Sequence, residues 1–327
     1  MNAINKPAAN VNDVIKLADE VPLESPYVIT LSTGNICDFR CIYCGQFNND
    51  AKKSAENNIP ELMSLENFTV LAEQIKEFKK HVKQISFISQ GETILNKSLP
   101  DMIKIVKENN LAKKTKVLTN AYSLTNEYSD RLIDAGLDQL FISLQGLSSE
   151  KYKEICGINI NYDKFFNQIK YFYKNRGNCK VYIKIIDISL DDNEEDLFNS
   201  MYGEYCDYIF IEKCQGKYSK NKDIINKFGF ELKNMEICPT PFYKMWIKHN
   251  GDVMPCCSGS VVQNIYKKNI KRIWDEDFCK LQIQLLKQEI ESNQKCFNCV
   301  SFKSREREED NLDFDREEII RRYSVKK

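Results

Sequence analysis

The sequence lacks an excess of either charge: Lys plus Arg and Asp plus Glu each number 47 in 327 residues. A formal charge of zero gives no broad cationic field, which argues against duplex nucleic acid or an anionic membrane as the main partner. It also lacks any apolar run of about 18 residues, so no membrane span is expected. No basic stretch leads into an apolar run of roughly 7–15 residues near the start, so no signal peptide is expected and the expected location is cytoplasmic. Histidine is scarce, with only His81 and His249, and sites built mainly from imidazole are not expected. Internal repeats and low-complexity segments are missing too.

What the chain has in abundance is cysteine, 13 residues. A reducing compartment disfavours disulfides, so clustered thiols there point to metal or redox chemistry. Residues 1–24 are polar without a clear period and read as an arm. Beyond them, apolar β-branched runs at Tyr27–Ser32, Gln84–Ser89, Thr115–Thr119, Gln139–Leu144, Val181–Asp187 and Tyr208–Glu212 read as buried strands. Helical spacing lies between them, over 64–80 with Ser64 as N-cap, 125–135 with Gly136 as a left-handed stop, 149–156, 162–174 and 192–203.

Six strand–helix alternations predict a parallel sheet with right-handed crossovers. The expected class is α/β, a partial (β/α)6 TIM-like barrel over 25–225, with a doubly wound sheet as the alternative. Either one collects reactive groups at the C-terminal strand ends. Over 226–302 short strands, turns and paired cysteines suggest a small cysteine-rich α+β domain, and Asn250-Gly251 between apolar runs predicts a hairpin. Residues 303–327 carry eight basic and eight acidic side chains and read as a solvated helix or tail.

Directly after the first predicted strand stands Cys37-Asp38-Phe39-Arg40-Cys41-Ile42-Tyr43-Cys44, a C-x3-C-x2-C triad. Three thiolates in one short loop can reach a single iron–sulfur cluster. Structural zinc takes four protein ligands, and no fourth Cys or His lies nearby; a zinc site completed from elsewhere is the alternative. The triad, with aromatic Tyr43 before its last cysteine, resembles the signature of the radical S-adenosylmethionine (SAM) superfamily. The resemblance implies a [4Fe–4S] cluster on Cys37, Cys41 and Cys44 whose open iron chelates SAM. One-electron cleavage would then give a 5′-deoxyadenosyl radical that takes a hydrogen atom from substrate. A reductase such as flavodoxin or ferredoxin is the implied electron donor.

Further positions carry the same resemblance. Gly91-Glu92 resembles the Gly-Gly-Glu element that holds the cofactor's amino group, with Gln90 replacing the first glycine. A loop surface acid is the alternative reading of Glu92. Ser143 and Gln145 resemble the Ser-x-Asp-Gly element near the cofactor's ribose and carboxylate, and Asn120 resembles the asparagine of Thr-Asn-Gly. Where many relatives place an arginine for that carboxylate, this chain has Cys156. Either Lys184 takes over, or the carboxylate relies on iron and backbone donors.

The C-terminal third holds Cys238, Cys256-Cys257, Cys296 and Cys299. With Asn250-Gly251-Asp252 and Ile273-Trp274, this pattern resembles the SPASM/twitch extension of radical enzymes, which in its four-cysteine form carries an auxiliary [4Fe–4S] cluster. Neighbours in extended backbone point to opposite faces, so one of Cys256 and Cys257 should ligate; the family's spacing favours Cys256. A zinc knuckle is the alternative.

A cluster closed by four protein thiolates has no vacant iron for substrate, so electron transfer or structural support is its expected job. An alcohol radical passing an electron to it would become a ketone. A radical quenched by a cysteine would instead be epimerised, and Cys156 and Cys214, near predicted strand-end loops, are the candidate donors. Lys184, Glu212 and Lys213 also sit near strand ends. The expected function is a radical SAM oxidoreductase acting on a carbohydrate-type small molecule. The alternatives are an epimerase, or a maturase of ribosomal peptides; the 26 residues before the first strand look too few for the leader-binding module of such maturases. A non-catalytic iron–sulfur or zinc module is a third reading.

Overall fold

In the computed structural model, which describes residues 3–5, 16–45, 61–214, 234–289, 299 and 308–325, all six expected strands form. A short β1 (Ile4–Asn5) precedes them. They are β2 (Val28–Leu31), β3 (Val82–Phe87), β4 (Ala112–Thr119), β5 (Gln139–Leu144), β6 (Lys180–Ile186) and β7 (Tyr208–Glu212). They lie side by side, parallel and in sequence order. Helices connect them, as parallel pairing requires. The result is the wall of a partial (β/α)6 barrel.

Two edges extend it. β1 pairs parallel with β7. On the other side β8 (Lys244–Ile247) pairs parallel with β2, followed by the antiparallel β9 (Asp252–Met254) and β10 (Gln263–Asn264). The expected hairpin is β8–β9, with Gly251 left-handed at φ 83°. The cysteine-rich segment thus begins as a continuation of the barrel sheet.

Helix caps follow the sequence. Ser64 accepts from the Asn67 N–H at 3.1 Å, and Leu65–Ile75 buries Phe68, Leu71, Ala72 and Ile75. The helix stops short of residue 80 because Glu77 and Phe78 turn back on the Gln74 and Ile75 carbonyls in tighter bonds. A further helix, Leu99–Glu108, not among those expected from the spacing, buries Leu99, Met102, Ile103 and Val106.

Alternation divides the sheet faces. One face (Ile29, Leu31, Ile85, Phe87, Val117, Ile183) packs under the helices in the main core. The opposite, inner face carries Gln84, Ser86, Lys116, Ser143, Lys184 and Glu212, together with Phe141, Tyr182 and Phe210, which are buried yet belong to neither apolar core.

A second core joins the two ends of the chain. Leu17 and Ala18 of the short helix Leu17–Glu20 pack with Phe242, Leu285, Ile319 and Tyr323. Arg322 caps that helix, donating to the Ala18 and Asp19 carbonyls at 2.6 and 3.1 Å. The tail forms a helix over Arg316–Val325, and it is not wholly solvated: Ile319 and Tyr323, one turn apart, are buried. Among the described residues no helix is long and apolar enough to cross a membrane.

Candidate active site

The loop carrying Cys37, Cys41 and Cys44 lies over the C-terminal ends of the strands, and its backbone is held from several sides. Arg40 and Ile42 donate to the Cys156 and Ile155 carbonyls at 3.0 and 2.9 Å. Those are the last carbonyls of the helix Ser149–Cys156, which have no partner within the helix. Phe39, 1% exposed, packs between the rings of Tyr122 and Tyr152. Asp38 accepts from Asn120 Nδ2 at 2.8 Å and from the Ser123 hydroxyl at 3.0 Å, tying the loop to the end of β4. Gly91 presses on the other flank: a Cβ there would meet the Ile36 carbonyl oxygen at 2.0 Å, and the next residue's N–H donates to that oxygen at 2.7 Å.

None of the three is in a disulfide; Cys41 is buried and Cys37 and Cys44 are half-buried. Burial pushes the Cys37 thiol up to about 12. Among the described residues no three His, Cys, Asp or Glu side chains gather closely enough to hold a single ion. The donor set is thiol alone on a firmly anchored loop, which fits an iron–sulfur cluster and does not fit a hard cation such as Ca²⁺ or Mg²⁺.

Glu92 is not a surface acid; it is 4% exposed. Its carboxylate accepts from the Ile94 N–H at 3.0 Å, the Thr119 hydroxyl at 2.5 Å and the Asn120 N–H at 2.7 Å. Burial pushes it up to about 7 against those three donors. Glu92 therefore bridges the ends of β3 and β4, and Asn120 spends its side-chain amide on Asp38. The Tyr43 hydroxyl donates to Gln145 Oε1, and Gln145 Nε2 donates to the Ser143 carbonyl at 3.0 Å. So Tyr43, Ser143 and Gln145 form one group at the end of β5, linked to the cysteine loop. Lys184, one strand over, is paired with Glu212 of β7.

Cys156 is fully buried in the helix-side core, its thiol 3.7 Å from that of Cys41. Cys214 sits just beyond β7, where its N–H donates to Asp187 Oδ1 at 2.9 Å and burial pushes its thiol up to about 11, with the Asp187 and Glu212 charges adding to it. Of the two candidate hydrogen donors, then, Cys214 lies at the strand ends and Cys156 behind the cysteine loop.

In the C-terminal cluster, half-buried Cys256 lies close enough to Cys238 to feel its charge, whereas Cys257 is exposed. Cys299 is half-buried, and Cys296 falls outside the described residues. The sequence reading passes over four residues: Asp38, which hides as a spacer inside the cysteine motif, and Thr30, Lys116 and Trp246 on the inner face. Strand parity was the available signal for Thr30 and Trp246.

Comparison with known proteins gives three findings. Residues 31–199 match the profile of the Radical SAM superfamily, and residues 238–300 match that of the SPASM iron-sulfur cluster-binding domain. Probable GTP 3',8-cyclases are 34% identical over 126 residues in Methanococcus aeolicus, covering 38% of this chain and 39% of that protein, and 31% identical over 132 residues in Sulfolobus acidocaldarius, covering 40% and 38%. The chain therefore spans about two fifths of these curated relatives. Among solved structures, Streptococcus suis SuiB bound to S-adenosylmethionine superposes at TM-score 0.62 with 19% identity, covering 88% of this chain and 74% of that one. BtrN in complex with AdoMet and 2-DOIA gives 0.51 with 17% identity, covering 84% and 92%. At such identities these likenesses speak for the fold alone.

Proposed function

Because the chain belongs to the radical SAM superfamily and carries a C-terminal SPASM iron–sulfur cluster-binding domain, we propose that it oxidises an alcohol of a hydroxylated, carbohydrate-type small molecule to a ketone. The family brings a SAM-binding [4Fe–4S] cluster and the SPASM domain an auxiliary one. Cys37, Cys41 and Cys44 would hold the first, and Cys238, Cys256, Cys296 and Cys299 the second.

Held by those cysteines, the two clusters and SAM would supply the one-electron chemistry that takes a hydrogen atom and then an electron from the carbinol carbon, with a reductase such as flavodoxin or ferredoxin as the electron source. The protein's part is to bind, orient and receive a proton. The Glu92 carboxylate, sunk between β3 and β4, would accept from the SAM ammonium. The Tyr43–Gln145–Ser143 group would flank the ribose. Across β2–β7 the inward-facing rows contain a single acid, Glu212, and its Oε2, paired with Lys184, would receive the hydroxyl proton.

The observation that carries the substrate reading is the inner face itself. It mixes donors and acceptors (Gln84, Ser86, Ser143, Lys184, Glu212) over the stacked rings of Phe141, Tyr182 and Tyr208, with centroids 4.1 and 4.4 Å apart. Hydroxyl groups suit the polar rim, and C–H faces of a ring suit the aromatic floor. The test is anaerobic turnover of the reconstituted enzyme with pools of hydroxylated substrates, scored for 5′-deoxyadenosine and product mass. Loss of two hydrogens per 5′-deoxyadenosine is expected. A product of unchanged mass would replace oxidation by epimerisation, and modification of an added peptide alone would replace both.

A further inference from the structure

Trp246, Thr30, Ser86 and Lys116 form one row across four neighbouring strands. The register pairs Trp246 with Thr30, Thr30 with Ser86 and Ser86 with Lys116, so strand spacing sets them roughly 4.8 Å apart along the row. Three of the four have hydrogen-bonding capacity that nothing among the described residues uses. The Thr30 hydroxyl, on a residue with 0% exposure, has no partner; neither has the Trp246 indole N–H, on a residue with 6% exposure. The Lys116 ammonium makes no hydrogen bond or ion pair there and lies 3.7 Å above the Phe141 ring. Buried polar groups are ordinarily satisfied, and leaving one unmade costs about 1–3 kcal/mol. Two buried orphans and a half-buried ammonium without a hydrogen-bond acceptor, all in one row, suit a ligand.

The chemistry of the orphans selects it. An indole N–H and an ammonium only donate, and the hydroxyl can donate as well. The charge balance agrees: Lys116 feels the ammoniums of Lys184 and Lys244, and among the described residues the only acid acting on it is Glu212, which Lys184 already engages. We propose that this row is a subsite for an oxyanion of the substrate, a phosphoryl or carboxylate group, bound by the Lys116 ammonium, the Thr30 hydroxyl and the Trp246 N–H. The proposal rests on the substrate reading above and narrows it to an acidic or phosphorylated sugar-like molecule. Burial and the two neighbouring ammoniums push the Lys116 amine down to about 7; a bound anion restores its charge and removes the strain of three lysines on one face.

The test uses the full-length protein with its clusters reconstituted and SAM present, titrated calorimetrically with glucose, glucose 6-phosphate and glucuronate. Both or either of the anionic sugars should bind at least about tenfold more tightly than glucose, the scale of a charge-assisted hydrogen bond. The stronger of the two names the phosphoryl or the carboxylate source, and inorganic phosphate should compete with it. Lys116→Met should erase that preference while leaving glucose binding as it was; Trp246→Phe, which keeps the ring and deletes the donor, should weaken anion binding alone by a few-fold. Equal affinity for all three sugars in the wild type, or an undiminished preference in both variants, overturns the subsite. SAM cleavage by the wild type under dithionite is measured separately. Protein that prefers anions but never cleaves SAM sinks the enzymatic reading; protein that cleaves SAM without an anion preference sinks this one.

Discussion

The α-carbon of Gly91 faces the Ile36 carbonyl so closely that any side chain there would stand 2.0 Å from the oxygen. This contact seats the residue before Cys37. The glycine serves the cysteine loop through backbone packing, before any cofactor is considered.

Gly91→Ala must therefore push the loop away from β3. Overpacking of this kind costs about 1–3 kcal/mol, and the displaced loop should lose its cluster on reconstitution. Iron analysis should read about four irons per chain in the variant against about eight in the wild type, the difference being one cubane. Wild-type iron content with an unchanged melting temperature would show that the loop tolerates the methyl group.

Asp38 offers the complementary case, since it grips the same loop from β4. Asp38→Ala leaves the Asn120 amide and the Ser123 hydroxyl without their acceptor, a loss of about 1.5–3 kcal/mol for bonds to a charged group. The expected signature is a lower melting temperature and slower cluster uptake, with Asp38→Asn recovering part of both because its amide oxygen still accepts. Equal loss in the two variants would mean that the charge, and not the tether, is what counts.

Much of the barrel was legible because its strands are short β-branched runs separated by capped helices; Ser64, Thr125 and Asn161 all cap as their chemistry requires. The helix Leu99–Glu108 escaped because Pro100 reads as a breaker, though a proline in the first turn costs the helix nothing. The arm's Leu17 and Ala18 were too few to show a period, and their partners lie at the far end of the chain. Cysteine spacing picked out the loop proposed to hold the cluster, since ligand count and proximity are written in the sequence itself. Lys116 was not legible as a site residue: on a strand, an alternating lysine reads as solvent-facing, and only the curvature of the sheet turns that face inward.

Cys256 and Cys257 should separate cleanly. Cys256 is half-buried, its thiol hydrogen-bonded with Cys257 and close enough to Cys238 to feel its charge, whereas Cys257 is exposed. Cys256→Ser should lower the iron count from about eight to about four per chain, and Cys257→Ser should leave it unchanged. The reverse pattern would assign the ligand to Cys257.

Cys156 behaves in the structure as a small buried apolar residue, fully enclosed beside Cys41. Cys156→Ala should cost about 1–2 kcal/mol of stability and should not change the mass of the product, whereas a hydrogen-donating cysteine would stall turnover after substrate hydrogen abstraction. Deuterium scrambling into unreacted substrate in this variant, with iron content intact, would restore Cys156 as a donor.

Lys116 supplies the pH dependence. Burial, reinforced by Lys244 and Lys184 and opposed by Glu212, sets its folded value near 7 against an ordinary 10.5. Between those values the unfolded chain holds a proton that the folded chain has released, so the lysine's penalty is full below pH 7, shrinks as pH rises and is gone above about 10.5. Lys116→Met removes the amine and keeps the stem that packs on Phe141. The variant should melt higher than the wild type at pH 7, by about 1.5–3 °C for a relief of 1–2 kcal/mol, and the advantage should fade toward pH 10. Adding an anionic sugar should narrow the same gap at pH 7, because the wild type alone gains a partner for its ammonium. A variant that melts lower than the wild type at every pH would mean that Lys116 is already well satisfied in the empty protein, and the case for an oxyanion at this row would fall with it.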